Sequence, residues 1–324
     1  MVNFLTLVTE FAAVALAAKE LGYSPAVAVP LAAIGLILLV GTGSYRRWER
    51  MTLMLCGLNL AWLVLAVAVR PDWGSAVFDS VVPSMPRGGM TGDLVFFLVA
   101  IVGTTIAPWQ MFFQQSCVAD KRLRFADLKA ARFDTAIGAV AISVFALCMM
   151  LIGDAMFRGG LHYEDPAQMA SALEPMIGRF GRIALLLLML NAAVLGATAI
   201  SLSSAWAWGE VMGWKNTLRA RLSEAPGFYT VYAVCTAAAA GVTLLPGAPL
   251  QQIILWMQVL AGIMLPAAIV FPQLLLNDHA MLGARFVNRP WNNVVNWSVI
   301  TLLFGLSFVL AARALVPSWP SFLS

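Results

Sequence analysis

The sequence predicts an all-α integral membrane protein, a bundle of about nine transmembrane helices, on three observations. Hydrophobic residues make up 61% of the 324 residues, charged residues only 11%, and the mean hydropathy is +0.84. A soluble domain carries roughly 25% charged and about 45–50% apolar residues, so this much apolar surface needs lipid as its solvent. Apolar stretches long enough to cross a bilayer recur along the chain, separated by short charged or Gly/Pro-containing segments. Finally, Lys and Arg alternate between the two sets of connecting loops.

In order, the spans fall near 4–21, 26–44, 51–70, 93–118, 134–157, 183–212, 228–245, 251–276 and 294–315. Only Gly22-Tyr23-Ser24-Pro25 parts the first two, and the sixth is long enough to continue past the bilayer. One set of loops holds thirteen Lys and Arg, at Arg46, Arg47 and Arg50, from Lys121 to Arg132, from Lys215 to Arg221, and at Arg285 and Arg289. The opposite set holds five: Arg70, Arg87, Arg158, Arg179 and Arg182. The positive-inside rule then puts the N-terminus in the cytoplasm and the C-terminus outside, a multi-pass topology for the plasma membrane. Nine spans require the ends to lie on opposite sides, as the charge count also does. The loops near 71–92 and 158–182 are too short to fold alone, so 1–324 reads as a single polytopic domain.

Several function classes are excluded. The net charge of +4 is explained by topology, which leaves no case for a nucleic-acid partner. Cys56, Cys117, Cys148 and Cys235 are scattered singly, with no C-x-x-C pair, and His162 and His279 lie far apart in loops. No His/Asp/Glu or Ser/His/Asp set converges within the spans, so an enzyme is not expected and neither is a cofactor.

The fourth span contains Gly103-Thr104-Thr105-Ile106-Ala107-Pro108-Trp109-Gln110. Proline has no N–H and collides with the carbonyl four residues back, here that of Thr104. An unpaired carbonyl in hydrocarbon costs several kcal/mol unless it is buried in protein, faces water or meets an ion. Secondary transporters place ion sites at such breaks, although a simple proline kink is the alternative. Gln110, Gln114 and Gln115 follow within two turns and favour a polar path, because intramembrane carboxamides need partners or water. Glu10 lies inside the first span and needs the same. Asn191 and Gln258 are expected to hydrogen-bond between helices, and Pro266 and Pro272 to bend the eighth span.

The motif Gly103-Thr104-Thr105-Ile106-Ala107-Pro108 with Trp109-Gln110 resembles the sixth helix of Nramp-type divalent metal transporters, closest to their magnesium-transporting branch. Thr9-Glu10-Phe11-Ala12 resembles the family's third helix. Leu265-Pro266, Leu274-Leu275-Leu276-Asn277-Asp278 and Leu282-Gly283 resemble its tenth helix and the following loop. The resemblance implies a LeuT-type inverted-repeat bundle in which the nine spans stand for helices three to eleven. It also implies an N-terminally truncated chain, since no counterpart of the family's first-helix Asp-Pro-Gly motif occurs and half of the expected ion site is missing.

What the resemblance implies for individual residues is a metal site drawing on the Thr104 carbonyl, Ala107 and Gln258. The expected ion pathway runs by Gly103, Pro108, Trp109, Gln110, Gln114 and Glu10. Ala107 stands where the family has a methionine ligand, and loss of a thioether favours hard Mg²⁺ and Mn²⁺ over soft ions. The family's two sixth-helix histidines fall on Trp109 and Gln114, and its third-helix Asp and Glu on Glu10 and Ala13, so proton coupling is not expected. The divalent ion and the bilayer are the expected partners, with the oligomeric state open. A LeuT-type organic-solute symporter and a truncated, non-transporting fragment are the competing readings.

Overall fold

The structure, a computed structural model, describes residues 2–82, 94, 101, 107–161, 166–283 and 286–315. Among them the regular structure is helical: α1 (Val2–Glu20), α2 (Pro25–Gly41), α3 (Tyr45–Leu58), α4 (Ala61–Ala68), α5 (Trp73–Val81), α6 (Pro108–Lys121), α7 (Leu128–Arg158), α8 (Pro166–Met212), α9 (Pro226–Thr243), α10 (Leu250–Leu275), α11 (His279–Leu282) and α12 (Pro290–Leu315). Among the described residues, five helical segments are long and apolar enough to cross a membrane: 2–20, 45–68, 125–158, 167–212 and 252–275. Large apolar side chains such as Leu31, Leu38, Val140 and Phe271 lie exposed, as they do where lipid is the solvent.

Local chemistry sets the helix ends. Ser44 accepts a hydrogen bond from the Arg47 N–H at the start of α3, and Asp72 accepts from Gly74 and Ser75 at the start of α5. Proline opens α2 and α9 at the first turn, where its missing N–H costs nothing. The third span is two helices in one line. Asn59 and Leu60 interrupt it with tighter i→i−3 bonds, and the Asn59 side chain donates to the Cys56 carbonyl.

Two connecting segments contain more structure than their composition suggests. The segment after Arg70 carries α5, and α8 begins at Pro166 rather than near 183. Ile177 and Gly178 leave helical geometry inside α8, with Gly178 at φ 71° and ψ −175°. That backbone conformation is open to glycine and strained for other residues, so Gly178 divides α8 into an outer short helix and a long spanning one.

The described residues gather into two compact units, one of residues 3–82 and 112–251, the other centred on 107–111 and 252–315. In the first unit, α9 packs along α8 and α2, while α4 packs against α7 and α8. Its core is an apolar cluster around Trp62, Leu65, Ile152, Leu173 and Leu186, together with an aromatic cluster. In that aromatic cluster Trp48, Phe113, Trp206 and Phe228 pack in series, edge-on or tilted, with ring centroids 5.8–6.2 Å apart. Beside it, buried Asp120 at the end of α6 accepts from the Leu218 N–H at 3.0 Å and from the Thr217 hydroxyl, fastening the loop after α8.

In the second unit, carboxamides join the end of α10 to the start of α12. Gln273, 2% exposed, donates to Asn293 at 2.8 Å and accepts from Asn296 at 2.8 Å and Asn288 at 3.3 Å. Asn293 donates in turn to Asn277, whose amide donates to the Gln273 carbonyl at 2.7 Å.

Candidate ion pathway

A helix begins at Pro108, in the middle of an apolar stretch of sequence. Ala107 lies just outside it, 7% exposed, in the N-cap position. Pro108 occupies the first helical position, and Gln110 sits three residues after the cap. The Gln110 side-chain oxygen accepts from the Ala107 N–H at 3.1 Å, and the Gln110 N–H donates to the Ala107 carbonyl at 3.0 Å. This is the returning half of a capping box, built with Gln in place of Glu. The Gln110 oxygen thereby satisfies a backbone donor that would otherwise be orphaned in an apolar setting. Gly103 and Thr104 lie outside the described residues, and with them the carbonyl that the proline leaves without a helical partner.

Downstream, the polar side chains diverge. Trp109 and Gln110 are half-buried, while Gln114 and Gln115 are exposed. The Gln114 amide reaches the Thr135 hydroxyl on α7 at 3.5 Å, a long bond between neighbouring helices. Gln258 is half-buried on α10, between the buried Met257 and Val259. Among the described residues no three His, Cys, Asp or Glu side chains gather in a group that could hold a metal ion.

Glu10 is half-buried on α1, and its carboxyl group lies directly over Gly196 of α8. The two helices run antiparallel. Asn3 donates to Ser204 at 3.3 Å near one end, and at the other Ser171 donates to Glu20 at 2.7 Å and Arg182 to the Glu20 carbonyl at 2.8 Å.

Other polar groups escape a reading of the sequence. Trp48 donates to Thr198, which pairs with Tyr232, and Tyr232 donates to the Leu36 carbonyl, each at 3.3–3.4 Å. Thr236 pairs with Ser201 at 3.0 Å, and Thr243 donates to the Val8 carbonyl at 3.3 Å. Ser and Thr in apolar helices were a visible signal, but their pairing across more than thirty positions was not. Asn191, expected to bond between helices, is 4% exposed with neither amide atom partnered among the described residues. The carboxamide cluster around Gln273 had one legible member, Asn277, through its place in the Leu-Asn-Asp stretch.

The sequence matches the pattern of the Nramp family, natural resistance-associated macrophage protein-like, over residues 1–313. The chain belongs to the Nramp family. Among curated Nramp relatives, it is 22% identical over 266 residues to the divalent metal cation transporter MntH of Caldanaerobacter subterraneus, covering 79% of this chain and 59% of the relative. It is 24% identical over 297 residues to MntH of Latilactobacillus sakei, covering 85% of this chain and 62% of that protein. The chain thus spans about three fifths of the length of these relatives.

Its fold is that of a solved Nramp structure, a histidine-to-alanine mutant of the Eremococcus coleocola manganese transporter. That match has a TM-score of 0.67 at 18% identity and covers 99% of this chain and 72% of the other. The same transporter with a bound bis-isothiourea compound gives 0.65. The all-helical, multi-pass membrane architecture expected from hydropathy is therefore the architecture of this Nramp chain.

Proposed function

We propose that this Nramp chain serves the transmembrane movement of divalent metal cations, Mn²⁺ and Mg²⁺ foremost, without obligatory proton coupling. Family membership over residues 1–313 supports the class of substrate, as do relatives named for divalent metal cation transport. The observation that carries the reading is the helix start at Pro108, with buried Ala107 at its cap inside an apolar stretch. A helix that starts inside an apolar stretch presents its N-terminal N–H groups there, and secondary transporters build ion sites at such helix ends. The proposed ion site draws on the Thr104 carbonyl, the space beside Ala107 and the Gln258 carboxamide, with Gly103, Pro108, Trp109, Gln110, Gln114 and Glu10 along the pathway. The membrane is the plasma membrane, with the N-terminus cytoplasmic and the C-terminus external.

Ion choice follows from the donor set. Oxygen donors suit hard, hydrated cations, and a methyl group at 107 offers no bonding to soft ones. Replacing Ala107 by Met should bring in a thioether and crowd the hydration shell. In proteoliposomes holding the protein at its full natural length, the Ala107→Met variant should gain Cd²⁺ uptake and lose Mg²⁺ uptake. Unchanged ratios between the two ions would remove Ala107 from the site.

A further inference from the structure

Glu10 is the half-buried carboxyl group that, among the described residues, has neither a hydrogen-bond nor an ion-pair partner. The other carboxylates among the described residues are either engaged or exposed. Glu20 accepts from Ser171, Asp120 from Leu218, Asp154 pairs with Arg158 at 2.7 Å and Glu174 with Arg182 at 3.2 Å; Asp134 and Glu210 lie exposed. A carboxyl group set into a membrane helix without a partner is costly. The position of this one is fixed by a notch in the neighbouring helix. A methyl carbon added at Gly196 would stand 2.8 Å from Glu10 Oε2 and nearer still to Oε1 and Cδ. Such separations do not occur between real atoms, so any side chain at 196 forces a move.

What would move is informative. At Gly227 an added carbon would strike the Trp214 ring, and at Gly43 it would meet the Ala220 carbonyl at 3.0 Å, so rigid groups stand in the way at both sites. At Gly196 the three nearest atoms all belong to the end of the flexible Glu10 side chain. The helices can keep their packing while the carboxyl group leaves. The α1–α8 contact is independently held by the Asn3–Ser204 and Arg182–Glu20 bonds, one on each side of the notch.

We propose that Gly196 is a positioning residue, whose missing side chain lets the Glu10 carboxyl group rest against α8, held for a passing divalent cation. The claim rests on the transport reading above. An uncompensated carboxyl group offers a dication the charge that carbonyl and amide oxygens lack. Holding it against backbone spares the entropy of localising it at each passage.

The test uses the protein at its full natural length in proteoliposomes, with Mn²⁺ uptake and Glu10 labelling by the apolar carboxyl reagent dicyclohexylcarbodiimide read on the same samples. Gly196→Ala should raise KM for Mn²⁺ by about tenfold with kcat little changed, the size expected for one lost charge-assisted contact. Glu10→Ala should raise KM as much, and adding Gly196→Ala to it should do nothing more. Glu10→Asp, one methylene shorter, should restore KM in the Gly196→Ala background. A merely structural clash would instead be relieved by the Glu10→Ala double variant. An unchanged KM in Gly196→Ala, or additive effects of Gly196→Ala and Glu10→Ala, would overturn the proposal. If the native protein takes up no Mn²⁺, the transport reading falls and labelling decides the notch. Faster modification of Glu10 in Gly196→Ala keeps the positioning claim, and an unaltered rate overturns it.

Discussion

Helices α8 and α9 are bonded to each other and to α1, α2 and α3 through separate hydroxyls and one indole, whereas α10 is tied at one end. In the first unit, hydroxyl bonds recur every few residues, from Trp48–Thr198–Tyr232 through Ser201–Thr236 to Thr243–Val8. Each is a single bond, between side chains except at Thr243, whose hydroxyl donates to the Val8 carbonyl, and each joins two helices. In the second unit, five carboxamides concentrate at the end of α10, around Gln273. The body of α10 carries Pro266 and Pro272 instead, each of which removes a helical hydrogen bond. Distributed bonds make a frame, while a cluster at one end leaves the rest of a helix free to bend about its prolines.

The sharpest way to break this contrast is Gln273→Leu. It takes one partner each from half-buried Asn288, Asn293 and Asn296 at similar volume, while the Asn293–Asn277 bond stays, and a polar group left unsatisfied away from water costs about 1–3 kcal/mol. A loss of about 3 kcal/mol should appear as a lower melting temperature in detergent; an unshifted Tm would mean the cluster is held by the helices and not the reverse. Asp120→Ala should cost about 2 kcal/mol, since the Leu218 N–H and Thr217 hydroxyl lose a charged acceptor. It should also release the loop after α8 to faster amide hydrogen exchange. If exchange in 213–225 is unchanged, the aromatic cluster alone fastens that loop.

Thr236→Val removes one stitch of several and should cost about 1 kcal/mol, because intramembrane hydroxyl bonds average less than their geometry suggests. A loss as large as that of Gln273→Leu would erase the distinction between frame and clamp. The smallest effect belongs to the exposed Lys215–Glu224 pair at 2.7 Å, outside the spans. The hydrogen bond and charge of Lys215 hold the Glu224 carboxyl below the ordinary carboxylate range. A depressed carboxylate favours the folded loop above the unfolded pKa and loses that contribution as pH falls through the folded one. Glu224→Gln should therefore flatten the acid side of the loop's exchange profile while leaving the Tm at neutral pH in place. Exposed pairs of this kind contribute little.

Much of the frame was legible because hydropathy and proline act locally. The helix start at Pro108 follows from a residue favoured at the first turn of a helix and disruptive further in, and the spans follow from runs of apolar residues. The outer part of α8 and all of α5 were not legible as helices, since short amphipathic segments between spans look like polar loops until Asp72 caps one and Gly178 divides the other. The candidate site was legible only by resemblance, at Ala107 and the residues about it. Gly196 carried no signal at all, as its meaning depends on a carboxyl group 186 positions away on an antiparallel helix. Gln114 lies exposed, and the partner of its amide, the Thr135 hydroxyl on α7, is a pairing between helices that polarity alone does not announce.

The central claim, movement of a divalent metal ion without obligatory proton coupling, is tested most directly by two dyes in one vesicle. Proteoliposomes carrying the protein at its full natural length would trap a metal-quenched fluorophore and a pH-sensitive one, and Mn²⁺ would be added outside. The account predicts saturable quenching by Mn²⁺, competed by Mg²⁺, with no change in lumenal pH. Quenching no faster than in protein-free vesicles, or acidification in fixed proportion to Mn²⁺ entry, would contradict it.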